Sequence, residues 1–310
     1  MDRDEKLIVG IDFIPGDVRE VMERLVRSGF GVWLVGGAVR DYLRGEAPKD
    51  WDLATDATPD EVTFIFKRVV PVGLRHGTIQ VHTKERDIEV TSCPAKGREG
   101  IFRDLARRDF TVNAMALSYP EGELLDLFQG REDLDRRVLR GVADPGARFR
   151  EDPLRTIRAF RFVSSYGFEV DPDTLSAAGE EAKGLEGVAR ERIREEMLRL
   201  IGGENVVSAM ELMRESGVLP VVLPELVDGI GVRQEDHYRL DVFEHTIHAV
   251  QISAPRTLVR MAALFHCIGK PVAEREGGTA TMESMRTAEA VLQRWLAPPR
   301  RIRDVVLLLE

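Results

Sequence analysis

Apolar residues recur at helical spacing near the start of the chain and then give way to short apolar runs. In DVREVMERLVRSG (17–29), Val18, Val21, Met22, Leu25 and Val26 share one face, which predicts a helix capped by Asp17 and stopped by Gly29. Val32 to Val35 reads as a strand leading through Gly36-Gly37 into a helix from Ala38 to about Leu43. Asp52-Leu53-Ala54 predicts a second strand, 59–67 a helix, and 69–72, 78–82 and 87–92 further strands. Past about Gly146 the strand pattern stops. Segments 151–165, 188–201, 205–216 and 242–253 carry helical periodicity, with Gly and Pro breaks at 202–203 and 217–224. The fold class expected is α+β: a head with a small mixed sheet over 1–145, a helical neck over 146–235 and a helical body over 236–310. Neither a solenoid repeat nor a low-complexity tract interrupts this order.

Composition adds limits. The chain has 310 residues, 43% hydrophobic and 31% charged, ordinary values for a globular protein with a sizeable core. No apolar run of about 18 residues suggests a membrane span, and the charged start MDRDEKLIVG is unlike a secretion signal. Two distant cysteines, Cys93 and Cys267, suggest no disulfide framework. These features predict a cytoplasmic protein with no membrane partner. The net charge of −9 weighs mildly against nucleic acid. Its distribution does not: between 136 and 161 lie Arg136, Arg137, Arg140, Arg148, Arg150, Arg155, Arg158 and Arg161, against Asp144, Glu151 and Asp152.

Four stretches carry candidate chemistry. In Leu34-Val35-Gly36-Gly37-Ala38-Val39-Arg40-Asp41, a strand turning through two glycines lets backbone amides approach a phosphate, with Arg40 as a nearby cation. The plainer alternative is a tight turn with a solvated arginine. In Lys49-Asp50-Trp51-Asp52-Leu53, residues two apart on a strand face one side, about 7 Å apart along the chain. Two hard oxygen donors so placed suit Mg²⁺ on nucleotide phosphates, although a lone Asp-x-Asp is commonly a turn or cap. Glu89 would add a third carboxylate from a neighbouring strand, or simply alternate on a half-exposed one. In Arg107-Arg108-Asp109-Phe110-Thr111-Val112-Asn113, Arg108 can meet phosphate or ribose oxygens while Asp109 and Asn113 share a helix face; without context it is a helix start capped by Asp109.

The fourth stretch is Glu151-Asp152-Pro153-Leu154-Arg155, followed by Arg158 and Arg161. Asp152 and Pro153 suit a helix start, and Leu154, Ile157, Phe160 and Val163 form its buried stripe. Asp152 and Arg155 then lie on the other face as i,i+3 neighbours, an acceptor beside donors. Cytosine and adenine each present an amino donor beside a ring-nitrogen acceptor, so such a pair could select them without a template. Read alone, it is a salt bridge on a solvated helix.

In this order and spacing the four stretches resemble the class II tRNA nucleotidyltransferases: the CCA-adding enzymes and their CC-adding, A-adding and bacterial poly(A) polymerase relatives. The resemblance runs from about Trp33 to Ile201 and takes in DLFQGREDL (126–134) and ARERIREEM (189–197). It implies a polymerase-β-like head in which Asp50 and Asp52 hold Mg²⁺ and carry catalysis. Gly36, Gly37, Arg40, Arg108, Asp109 and Asn113 would bind the incoming nucleotide; Asp152 and Arg155 would read its base, supported by Arg158 and Arg161. The implied partners are the 3′ end and acceptor arm of tRNA, CTP and, for a full CCA end, ATP. A poly(A) polymerase, or a non-catalytic RNA-binding protein on this fold, remains the alternative.

Two departures bear on the product. Only the fifteen residues from Ser92 to Ala106 separate Thr91 from Arg107, a segment usually longer in members that complete CCA, so the resemblance implies CC addition. In the body, Phe243-Glu244-His245-Thr246 and Phe265-His266-Cys267-Ile268-Gly269-Lys270 resemble an HD phosphohydrolase domain, but Cys267 and Met282-Glu283 stand where metal ligands are expected. That implies a degenerate HD-like fold without phosphatase activity, serving as packing or an RNA surface. The chain ends in VVLLLE, which reads either as a short protein or as a truncated body.

Overall fold

The computed structural model describes residues 7–73, 77–234 and 239–310. The start of the charged N-terminal stretch and the expected neck–body boundary at 235/236 lie outside the described residues. The chain divides into two compact units, Met1–Asp144 and Pro145–Glu310.

In the first unit, α1 (Gly16–Arg27) precedes β1 (Val32–Val35), α2 (Gly37–Leu43), β2 (Asp52–Thr55), α3 (Pro59–Ile65), β3 (Val69–Gly73), β4 (Thr78–His82) and β5 (Asp87–Ser92). Then come α4 (Gly97–Leu105), β6 (Ala116–Ser118), β7 (Leu124–Leu125) and α5 (Gly130–Asp135). The strands form one sheet in the order β3-β4-β5-β2-β1-β6-β7. Within it β2 and β5 run parallel while the other neighbours are antiparallel.

The apolar pattern is used as expected at β1, where all four residues are buried. Trp33 and Val35 on β1 join Ala54 on β2, Ala116 on β6 and Leu125 on β7 in a core cluster. Ile101 and Leu105 of α4 pack into the same cluster, so the short segment between β5 and the Arg-Arg-Asp stretch is an anchored helix. Helix α3 begins with a reciprocal cap, Thr58 Oγ1 accepting from the Glu61 amide and Glu61 accepting from the Thr58 amide.

Three local expectations fail in the head. Asp17 does not cap α1; its Oδ2 instead accepts from Thr83 Oγ1 and Arg86 Nε, each at 2.9 Å. Asp50 lies before β2, not on it, so the strand alternation does not set its direction. Asp109 does not start an α-helix: Thr111–Asn113 is a single 3₁₀ turn, because the Asp109 side chain bonds the Phe110 amide at 2.8 Å.

The second unit is built from α6 (Pro145–Glu151), α7 (Leu154–Tyr166), α8 (Pro172–Glu180), α9 (Arg190–Ile201), α10 (Val206–Glu215), α11 (Leu219–Val222) and α12 (Pro224–Val227). It continues with α13 (Val242–Ile252), α14 (Thr257–Phe265), α15 (Lys270–Glu276), α16 (Ala280–Arg294) and α17 (Pro299–Leu309). Helix α7 packs on α9 and α10, and α13 packs on α14. Leu154, Ile157, Phe160 and Val163 are all buried, as the stripe required. The helix expected over 151–165 is broken, however: α6 ends at Glu151 and α7 begins at Leu154, with Asp152 and Pro153 in the joint. Extended backbone also reappears briefly at Glu169–Val170.

Arg260 on α14 is a buried cation with a structural use. Its guanidinium donates to the carbonyls of Ile201 and Gly203 at the end of α9 and to Gln251 at the end of α13. Terminal helix carbonyls left without amide partners are thereby satisfied. Among the described residues, no helix is long and apolar enough to cross a membrane.

Candidate active site

Gly36 sets the geometry where β1 ends. Its φ of 69° lies where only glycine is comfortable. A Cβ there would meet Arg108 Nη1 at 2.8 Å and approach Asp52 Oδ2 at 3.9 Å. The absent side chain is therefore what lets the Arg108 guanidinium lie over the turn, beside the Asp52 carboxylate. Asp104, one turn earlier on α4, fixes that guanidinium from behind, its Oδ2 accepting from Nε at 3.1 Å and Nη2 at 3.0 Å.

A second chain of contacts runs under the turn. Arg40 is 6% exposed, and its Nη1 donates to Asn113 Oδ1 at 2.6 Å while Nε and Nη2 donate to Asp41 Oδ1. Asn113 Nδ2 in turn donates to Asp109 Oδ1 at 3.0 Å. Arg40, Asp109 and Asn113 thus form one buried network that stiffens the Gly36–Gly37 turn from below. Arg108, 21% exposed at its side chain, is the more accessible of the two arginines.

The acidic group stands at the start of β2 and within β5. Asp52 is paired in register with Glu89, and parallel-strand register partners project from the same face. Burial pushes the Asp52 carboxyl up to about 6, with Glu89 and Asp50 pushing the same way and Arg108 opposing them. The unfavourable crowding of carboxylates around a half-buried one is the charge pattern a divalent cation relieves, and the donors are all hard oxygens. Asp50 is exposed ahead of the strand. Among the described residues, a trio with mutual donor distances within 4.8 Å occurs at His245, His266 and Cys267, and not at these acids.

The two residues expected to read a base, Asp152 and Arg155, and the two expected to support them, Arg158 and Arg161, all belong to the second unit. Asp152 Oδ1 accepts from the Leu154 amide at 3.3 Å, and Oδ2 accepts from Arg192 Nη2 at 2.7 Å. Arg155 does not take Asp152 as its ion-pair partner; Nη1 lies 3.5 Å from Glu151 and donates to the Arg148 carbonyl at 3.3 Å. Arg158 is half-buried on α7. Arg161 pairs with Glu196 on α9 at 2.7 Å and stacks over Phe162. Arg192 and Glu196 were missed from the sequence. Their signal was their spacing of four in ARERIREEM, which puts both on the α9 face that meets α7.

Comparison with known proteins follows these two regions. Residues 32–140 match the family described as Poly A polymerase head domain, and 167–229 match the one described as "Probable RNA and SrmB- binding site of polymerase A". A CCA-adding enzyme of Streptococcus gordonii is 38% identical over 74% of this chain and 61% of its own length. One from Anoxybacillus flavithermus is 42% identical over 66% of this chain and 55% of its own length. The chain therefore spans between 55% and 61% of the length of these curated relatives. Among solved structures, the Bacillus stearothermophilus CCA-adding enzyme in complex with CTP superposes with a TM-score of 0.71 at 31% identity, covering 93% of this chain and 67% of that one.

Proposed function

Because the chain belongs to the family of CCA-adding enzymes and bacterial poly(A) polymerases, we propose that it adds nucleotides without a template to the 3′ end of tRNA, using CTP and stopping after CC. The observation that carries this reading is the meeting of Asp52 and Arg108 at the glycine turn, with Glu89 beside Asp52 on the neighbouring strand.

In the proposed reaction the tRNA 3′-oxygen bonds to the α-phosphorus, the bond to the bridging oxygen breaks, and pyrophosphate departs. The hydroxyl proton passes to solvent. Asp50 and Asp52 are the residues that would hold Mg²⁺, which when bound lowers the pKa of that hydroxyl and neutralises phosphate charge. Arg108 donates to phosphate or ribose oxygens, and Gly36-Gly37 brings backbone amides close to the phosphates. Arg40, Asp109 and Asn113 hold the turn in shape, so that binding costs little rearrangement.

Base choice is assigned to Asp152 and Arg155. The Asp152 carboxylate, steadied by Arg192, retains lone pairs for the amino group of cytosine or adenine. Arg155 donates to the neighbouring ring nitrogen, and Arg158 and Arg161 support the pair.

Stopping at CC is argued from α4. The segment before Arg107 is fifteen residues long, and Ile101 and Leu105 tie its helix into the core, leaving little chain free to reshape the pocket for ATP. The relatives' name, CCA-adding enzyme, points instead to completion with A. Incubation of tRNA lacking its CCA end with CTP and ATP decides between them: a product ending in CC supports the proposal, and one ending in A overturns its product assignment. A long A tail would identify a poly(A) polymerase, and no addition at all would leave an RNA-binding protein.

A further inference from the structure

We propose that the second unit binds a single thiophilic transition-metal ion, Zn²⁺ by preference, through His245, His266 and Cys267. The three side chains each offer a donor, and those donors lie within 4.8 Å of one another. They are brought together by the packing of α13 on α14: His245 lies on α13, while His266 and Cys267 follow the last turn of α14.

The imidazoles are oriented for coordination. His266 Nδ1 is 2.6 Å from the Ala263 carbonyl. A carbonyl oxygen can only accept, so Nδ1 carries the proton and Nε2 presents a lone pair. That outer hydrogen bond is the usual support of a metal-binding histidine. His266 Nε2 faces His245 Nε2 at 3.0 Å, close to the ~3.3 Å that separates two nitrogens on a tetrahedral Zn²⁺. An imidazole–imidazole hydrogen bond gives the same distance, and Cys267 hydrogen-bonds His266 and Gln234; the convergence of all three donors within 4.8 Å is what suits an ion.

Cys267 decides the kind of metal. A hard carboxylate at this position would suit Mg²⁺ or Mn²⁺, whereas a thiolate beside two imidazoles selects Zn²⁺ and its soft neighbours. Among the described residues Glu283 does not join the three donors; its Oε1 accepts from Arg286 Nη1 at 2.7 Å. Three protein donors thus hold one ion and leave a position for water, and the bound ion ties α13 to α14.

The test titrates the full chain, purified free of metal, with Co²⁺ and then Zn²⁺. One Co²⁺ per chain should bind with a near-ultraviolet sulfur-to-cobalt charge-transfer band, and Zn²⁺ should displace it and raise the unfolding temperature. The band should survive Cys93→Ser and vanish in Cys267→Ser, while His245→Ala should weaken Co²⁺ binding more than ~10-fold. Cys267→Asp covers the case in which the serine variant misfolds: it should still bind Co²⁺ but without the band. The proposal is overturned if micromolar Co²⁺ or Zn²⁺ does not bind, or if the band persists in Cys267→Ser or Cys267→Asp.

Discussion

Asp52 and Glu89 are register partners on the parallel strands β2 and β5, so two carboxylates leave the sheet side by side. Burial, then Glu89, then Asp50 hold the Asp52 carboxyl at about 6 despite Arg108. A metal ligand must be deprotonated, so at limiting Mg²⁺ nucleotide addition should fall as pH drops through about 6. Glu89→Gln removes a like charge and should move that acid limb to lower pH. A pH profile of kcat/KM for wild type and variant checks this, and an unmoved limb would refute the coupling.

The same shift has a cost in stability. Asp52 rises from 3.8 unfolded to about 6 folded, so between those values the folded chain binds more protons. Its stabilising contribution is complete below 3.8 and is lost as pH rises through about 6. At pH ~8 the folded state bears the full penalty, on the order of 1–3 kcal/mol. Asp52→Asn should therefore abolish addition yet stabilise the metal-free protein by about that amount at pH ~8, and by little near pH ~4. Urea unfolding at both pH values measures it; a variant less stable than wild type at the higher pH would show that burial is not what raises this carboxyl.

Gly36→Ala tests the turn. The added methyl meets Arg108 Nη1 at 2.8 Å, on a backbone with φ of 69°. Strain of about 1–3 kcal/mol is expected in thermal unfolding. Displacement of Arg108 should also raise the KM for CTP more than it lowers kcat. Gly37→Ala serves as the contrast, since its Cβ would meet only Arg40 Nη2, at an ordinary 3.6 Å. If the two variants bind CTP equally well, Arg108 does not depend on the missing side chain.

The strands between 32 and 92 were the most legible part of the sequence, whereas Ala116–Ser118 and Leu124–Leu125, too short to show a pattern, were not foreseen. Val32–Val35, 78–82 and 87–92 fall where their apolar runs place them, because a strand's pattern is set by burial on the sheet itself. Helix starts were less legible, because a short polar side chain has several uses. Asp17 left its expected capping role for Thr83 and Arg86, distant residues that only the fold brings near. Of the acidic group, the spacing of two points to Asp50 and Asp52, and Glu89 reads equally as a third carboxylate or as a polar residue alternating on a half-exposed strand. The register of Asp52 with Glu89 could not be read, since pairing between strands is a tertiary fact. The i,i+3 spacing of Asp152 and Arg155 misled only about their pairing with each other: it assumes a continuous helix, and the chain breaks between Glu151 and Leu154.

That break gives Asp152 a different anchor and hence a separable prediction. Arg192 donates to Asp152 Oδ2 at 2.7 Å from α9, so it positions the carboxylate without being assigned to the base. Asp152→Ala should remove the acceptor for the amino group and narrow the preference for CTP over UTP. Losing a hydrogen bond that discriminates one base from another corresponds to about 1–3 kcal/mol, or roughly 10- to 100-fold in the ratio of kcat/KM values. Arg192→Ala should leave the acceptor present but free to turn, giving a smaller loss of selectivity, and Arg192→Lys should recover part of it. The pair is half exposed, so neither change should alter folding much. Competition between CTP and UTP on a tRNA lacking its CCA end measures all three variants. Full selectivity in Asp152→Ala would remove Asp152 from base reading, and a loss in Arg192→Ala equal to that in Asp152→Ala would mean that Arg192 itself meets the nucleotide.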